Sequence, residues 1–343
     1  MFFRVILSFL LVLAIAACDS STVEDALDLA EGIPRRQIDV SIVGTNAFAN
    51  DQRFGSINDQ YLEVRDVLGL NYVRVLFGWD DNVQPSPGAS PNFSFYDDIA
   101  SGIPAGVDAL VVLTGVPSWM NDPSNWIDGD PRKTFIERWV RPAAQRYGSR
   151  ARIVGFQIWN EPNMPPGQAN PNGLMGFFEN PANYLEALAL GYSVVQDVAP
   201  GKLVLNAATT AINQNYPGSL DYNKELRDLG GESFVDVWAV HYYGRQFENV
   251  VRSGGVRSFL NSLNRPIWIT ETGAQGFNNQ LAYAEQVWPY LTEQINGIER
   301  IYQYQFTDSS PADISYGLQT LDPSFPVSDL YIHLRDRAAG LIP

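Results

Sequence analysis

One pattern recurs eight times along the chain, and it limits the fold more than any single residue does. Short apolar runs with strand character alternate with segments of helical periodicity. The strand candidates are Ile38–Val43, Tyr72–Phe77, Ala109–Leu113, Arg152–Trp159, Leu203–Asn206, Phe234–His241, Pro266–Thr270 and Arg300–Phe306. Helical spacing is read over 57–68, 96–99, 133–146, 181–198, 221–229, 256–263, 280–295 and 327–339. The first of these shows the spacing well, with Ile57, Tyr61, Val64 and Leu68 on one face. The strand runs are rich in Val, Ile and aromatics, which suits burial on both faces. Strands of that kind, separated by helices, pair in parallel, and eight of them close into a (β/α)8 TIM barrel. A doubly wound open sheet is the rival, and it carries a Gly-rich phosphate loop after its first strand. Here the first strand runs into Gly44-Thr45-Asn46-Ala47, with no GxGxxG. The expected fold class is therefore α/β, a single TIM barrel over residues 37–343. Its longest loops follow strands two, three and four, on the face where barrel active sites form.

The residues before 37 do not fit the alternation. Arg4 is followed by a short apolar stretch, Val5–Ala14, too brief to span a bilayer as a permanent helix. Ile15-Ala16-Ala17-Cys18 then resembles the bacterial lipobox, in which the Cys is lipidated and becomes the mature N-terminus. Residues 1–17 are thus expected to be a lipoprotein signal peptide and Cys18 the lipidation site. Residues 18–36, small, polar and acidic, read as a tether. A lipid anchor would hold the protein at a bacterial envelope membrane, on the periplasmic or surface face, without spanning it. An ordinary signal peptide and a secreted protein is the alternative.

Charge and composition exclude several function classes. Lys and Arg number 23 against 38 Asp and Glu, a net charge of −15, which argues against a nucleic-acid partner. Cys18 is the sole cysteine, so no intrachain disulfide or Cys-rich zinc site can form. His241 and His333 are the only histidines, too few for a multi-histidine metal centre. No metal or cofactor is expected. The acidic, Lys-poor balance suits a saline setting, or reflects drift in genome composition.

Two short runs point to chemistry. Trp159-Asn160-Glu161-Pro162-Asn163 lies at the end of strand four, and Trp268-Ile269-Thr270-Glu271-Thr272-Gly273 at the end of strand seven. Barrels place reacting groups at C-terminal strand ends, and strands four and seven lie on opposite sides of the mouth. Two carboxyl groups facing each other there are what glycosidic cleavage needs. One gives a proton to the leaving oxygen while the other attacks or stabilises the anomeric carbon.

With these motifs the sequence resembles glycoside hydrolase clan A, the superfamily with catalytic glutamates on strands four and seven. The Ile-Trp-Asn-Glu-Pro-Asn run and Pro117-Ser118-Trp119 are most like family 39 and next like family 5. The resemblance implies Glu161 as acid/base, Glu271 as nucleophile, and Asn160 as a hydrogen-bond partner of the sugar 2-hydroxyl. It implies Arg74 beside the nucleophile and, from His241-Tyr242-Tyr243, His241 lining the sugar site with Tyr243 on the nucleophile. Trp79, Trp119 and Trp126, in the loops after strands two and three, are candidate sugar platforms. Many clan members carry a platform Trp at the end of strand eight. This chain has Tyr304-Gln305-Phe306-Thr307-Asp308 there, with Phe306 as the candidate substitute. The activity implied is retaining hydrolysis of a β-linked plant or bacterial oligo- or polysaccharide, with no cofactor. Two alternatives stand beside it: a transglycosylase using the same carboxylates, and a non-catalytic glycan-binding barrel lipoprotein.

Overall fold

The computed structural model describes residues 34–47, 51–164, 173–212, 218–245, 255–324 and 326–343. The expected signal peptide, Cys18 and nearly all of the tether lie outside them. Eight strands form one sheet: β1 Val43–Asn46, β2 Tyr72–Gly78, β3 Asp108–Thr114, β4 Ile153–Ile158, β5 Leu203–Asn206, β6 Trp238–Tyr243, β7 Ile267–Gly273 and β8 Ile298–Gln303. Their order is β5-β4-β3-β2-β1-β8-β7-β6, every pairing is parallel, and helices lie between successive strands. The remaining seam closes between β5 and β6 through a parallel bridge, Leu205 to Val237. Asn206 continues it with a side chain, accepting from Ala239 N at 2.8 Å and donating to Ala239 O at 3.1 Å. The result is the (β/α)8 barrel expected from the sequence.

β5 matches the sequence reading and β2, β3 and β4 shift by one residue, but β6 begins four residues later than expected, β7 ends three later, β8 ends three earlier and β1 begins five later. Val40–Ile42 forms a 3-10 turn instead, because the Asp39 carboxylate caps it by accepting from Ser41 N at 3.0 Å. Just before it, Arg35 and Arg36 pair with Glu285 and Glu293 on the helix Gln280–Gln294. Among the described residues no helix is long and apolar enough to cross a membrane.

The main core lies between strands and helices. The lumen is divided. Its floor is a small apolar cluster of Leu110, Leu205, Ala208, Val237, Ala239, Trp268 and Tyr302. Strict alternation from an inward Glu271 puts Trp268 outside the lumen. It sits on the floor because the strand register shifts between Ile269 and Thr272. Above the floor the buried residues turn polar: Asn46, Arg74, Gln157, Asn206, His241, Thr270 and Gln303. Hydrogen bonds link Asn46 to Thr270, Gln303 and Arg74, Arg74 to Gln157, and Gln157 to Asn206, a connected network beneath the mouth.

Candidate active site

The turn after β4 explains its own sequence. Trp159 and Glu161 adopt left-handed backbone conformations, with φ of 75° and 45°. Each such residue costs about 1–3 kcal/mol and persists only where its surroundings hold it. Trp159 is buried between Phe135 and Phe178, at centroid distances of 5.2 and 4.9 Å. The backbone N–H of Glu161 donates to Ala208 O at 2.8 Å. Asn163 bonds Thr210 and Ser219 beyond β5. With the backbone pinned on both sides, Asn160 and Glu161 are turned toward the mouth.

On β7, Thr272 Oγ1 bonds the Tyr283 hydroxyl at 2.8 Å, which fixes the strand against the helix layer. Gly273 is required by close approach: a Cβ there would lie 2.8 Å from Tyr304 O. Between them Glu271 turns inward, only 7% exposed. Its Oε1 accepts from Arg74 Nη1 at 2.7 Å and its Oε2 from the Tyr243 hydroxyl at 2.9 Å.

Arg74 is the hub. Besides Glu271, it donates to Gln157 Oε1 at 2.9 Å, Asn46 Oδ1 at 2.7 Å and Asn160 Oδ1 at 2.6 Å. One guanidinium thus joins the strand that carries Glu271 to the turn that carries Glu161. His241, fully buried, does so a second time. Its Nδ1 lies 3.1 Å from Glu161 Oε1 and its Nε2 3.4 Å from Glu271 Oε1.

Burial pushes the Glu271 carboxyl upward, but attraction to His241 and Arg74 and the hydrogen bonds from Arg74 and Tyr243 outweigh it. The net effect holds Glu271 below the ordinary glutamate value. Burial, reinforced by the negative charge of Glu271, raises the Tyr243 phenol well above its ordinary value, so it remains a neutral donor.

One oxygen from each of Glu161 and Glu271 and a ring nitrogen of His241 lie within 4.8 Å of one another. That spacing could accommodate an ion, but the Arg74 guanidinium already supplies the positive charge at Glu271 Oε1. The arrangement is that of two facing carboxylates in unlike settings, one clamped by a cation and one beside an open cleft. The cleft holds about 330 Å³ and is lined by Glu161, Met164, Thr210, Ala211, Tyr243, Glu271, Tyr304 and Tyr316.

The structure therefore brings together Glu161, Glu271, Asn160, Arg74, His241 and Tyr243. It does not bring the expected aromatic platforms. Trp79 is 0% exposed, and its indole N–H is spent on Gln84 Oε1 at 2.8 Å. Phe306 is also fully buried, packed into the main core with its backbone N–H donating to Asn46 O at 2.9 Å. Trp119 packs edge-on against Trp79 at 5.3 Å and donates to Gln84 O, and Trp126 donates to Met120 O and meets Phe177. Both are half-buried loop packing, and neither is among the residues lining the cleft. Instead the aromatic wall is Tyr243, Tyr304 and Tyr316, in mutual edge contact at 5.6–6.3 Å. Tyr304 lies in the strand-eight run beside Phe306, the residue chosen from the sequence in its place. Tyr316 carried no local signal, because a loop returns it to the mouth.

A family model described as cellulase, glycosyl hydrolase family 5, matches residues 36–307. No curated protein matches the chain in sequence. Among solved structures, a family 39 glycoside hydrolase from the gut symbiont Bacteroides cellulosilyticus is similar, with a TM-score of 0.63 and 18% identity over 90% of this chain and 66% of that one. The β-galactosidase of the Antarctic haloarchaeon Halorubrum lacusprofundi has a TM-score of 0.57 and 13% identity over 87% of this chain and 57% of that one. A family 5, subfamily 18 variant from Streptomyces cattleya, solved with Manβ1-4GlcNAc, has a TM-score of 0.60 and 17% identity over 88% and 80%. The chain spans less than two thirds of the length of the first two. At these identities the structural likenesses bear on the fold alone. The two families named from the motifs are thus both represented, family 5 by the sequence model and family 39 by the fold.

Proposed function

The chain belongs to the cellulase family, glycosyl hydrolase family 5, and on that footing we propose that it cleaves O-glycosidic bonds by double displacement with retention. The observation that carries the reading is the carboxyl pair, with one oxygen of each within 4.8 Å of the other. Retaining enzymes hold their carboxyls roughly 5–5.5 Å apart, whereas inverting ones leave about 6.5–9.5 Å for a water. In this reading Glu271, kept ionised by His241, Arg74 and Tyr243, attacks the anomeric carbon and forms a glycosyl-enzyme. Glu161 Oε1 faces His241, so Oε2 is the oxygen that delivers the proton to the departing glycosidic oxygen. Glu161 then takes a proton from the water that resolves the intermediate. Asn160 has committed its carbonyl to Arg74, so its amide NH2 is the end that meets a sugar hydroxyl. Tyr304 takes the place of the strand-eight platform, and the substrate is a β-linked glycan.

A screen of aryl β-glycosides and polysaccharides with wild type, Glu161→Ala and Glu271→Ala tests this. First-formed product should keep the substrate's anomeric configuration. Full turnover by Glu271→Ala, or an inverted first product, would refute the mechanism. We further propose, from the sequence alone, that residues 1–17 are removed, that Cys18 is lipidated, and that the following tether holds the barrel at a bacterial envelope membrane. Wild type should take up radiolabelled palmitate and sediment with membranes. A Cys18→Ser protein that still fractionates with membranes would rule the anchor out.

A further inference from the structure

β1 carries no residue that the motifs single out, yet it places a side chain at the centre of the network. Asn46 is fully buried. Its Nδ2 donates to Thr270 O at 3.1 Å and to Gln303 O at 3.3 Å. Those carbonyls can only accept, so the amide orientation is not arbitrary: Oδ1 must face the other way, where it accepts from Arg74 Nη1 at 2.7 Å. The same Nη1 bonds Glu271, and Thr270 is the residue immediately before Glu271. One short, stiff side chain therefore touches both Arg74 and the backbone carbonyl just before Glu271. The backbone reinforces it, since Asn46 is in register with Arg74 and Ala47 N donates to Arg74 O at 2.9 Å.

We propose that Asn46 is a positioning residue for the nucleophile, setting the reach of Arg74 to Glu271 by holding the guanidinium and the β7 backbone at once. The proposal rests on the retaining mechanism above. The groups facing Glu271 are Arg74 from β2, His241 and Tyr243 from β6, Glu161 from the turn after β4, and Tyr304 after β8. Of these, Asn46 bonds Arg74, so its effect on Glu271 passes through that cation and through Thr270 O.

Asn46→Asp keeps the shape but turns an oxygen toward the two carbonyls and adds a negative charge that competes for Arg74. The acidic limb of the kcat/KM–pH profile, read with an activated aryl glycoside, should move up by about one pH unit. kcat/KM at neutral pH should fall roughly tenfold or more, with kcat changing more than KM. Asn46→Ser, a smaller and uncharged change, serves as the second arm should the Asp variant not fold. It slackens the hold on Arg74 and should move the limb in the same direction by less. Acidic limbs that overlay wild type in the folded variants, even with a lowered Tm, would reduce Asn46 to a structural role and overturn the proposal. Glu271→Ala run alongside separates the two readings. If it is inactive while the Asn46 variants titrate like wild type, only the positioning role fails. If it is active, the nucleophile assignment fails.

Discussion

Replacing Arg74 with methionine keeps the length of the side chain but removes a buried charge and its hydrogen bonds to Gln157, Asn46, Glu271 and Asn160. Both partners of the ion pair are nearly inaccessible, at 2% and 9% side-chain exposure, so solvent screens the contact little. Two unit charges about 4 Å apart attract by about 4 kcal/mol at the effective dielectric that suits protein sites. Stranding one partner of a buried ion pair costs about 3–5 kcal/mol, which agrees with that Coulomb figure. For a chain of this size that corresponds to a fall in Tm of roughly 5–8 °C at neutral pH.

The dependence on pH is the sharper test. In wild type the Glu271 pKa lies below its unfolded value, so its contribution to stability is present above that unfolded value and lost as pH falls through the folded one. In Arg74→Met only His241 and the Tyr243 hydroxyl are left to oppose burial, so the folded pKa moves up and less of that stability remains above the unfolded value. The gap in Tm between the two proteins should therefore widen from pH 4 to pH 7.5. The acidic limb of kcat/KM should move up together with it, and kcat/KM at neutral pH should fall by roughly two orders of magnitude or more. A constant Tm gap across that range, with an unmoved acidic limb, would show that Arg74 is a packing residue and that Glu271 owes it nothing.

Two further substitutions probe the walls of the site. Tyr243→Phe removes the hydroxyl that donates to Glu271 Oε2. A hydrogen bond to a charged group is worth about 1.5–3 kcal/mol, so kcat/KM should fall roughly 10- to 100-fold, with the acidic limb shifted up by less than in Arg74→Met. An unchanged profile would remove Tyr243 from the reaction. Tyr304→Ala should raise KM more than it lowers kcat, and Tyr304→Trp should preserve binding. Equal loss in both variants would mean that the hydroxyl, not the ring face, is what the substrate meets.

Much of this site was legible in the sequence because its key residues sit in regular positions. The alternation of strands and helices implied a barrel, and a barrel alone puts the ends of strands four and seven across one mouth. Glu161 and Glu271 then followed from motif and strand position, and Asn160, Arg74, His241 and Tyr243 from the resemblance to clan A. Loop aromatics had no such constraint. Whether an indole faces sugar or core depends on where its loop turns back, and Trp79 and Phe306 turned inward. Tyr316 reached the cleft through a return loop that no local pattern encodes. Register was equally hidden, since one shift in β7 moved Trp268 into the lumen beside strands distant in sequence. Asn46 shows the division most clearly. Alone it is a polar residue ending a short strand. Only closing β1 against both β2 and β8 brings Arg74 and the backbone before Glu271 within reach of one amide. The sequence by itself determined which chemistry the mouth would hold; tertiary closure decided which side chains support it, because Asn46 meets Thr270 and Gln303, more than two hundred positions away, only in the closed barrel.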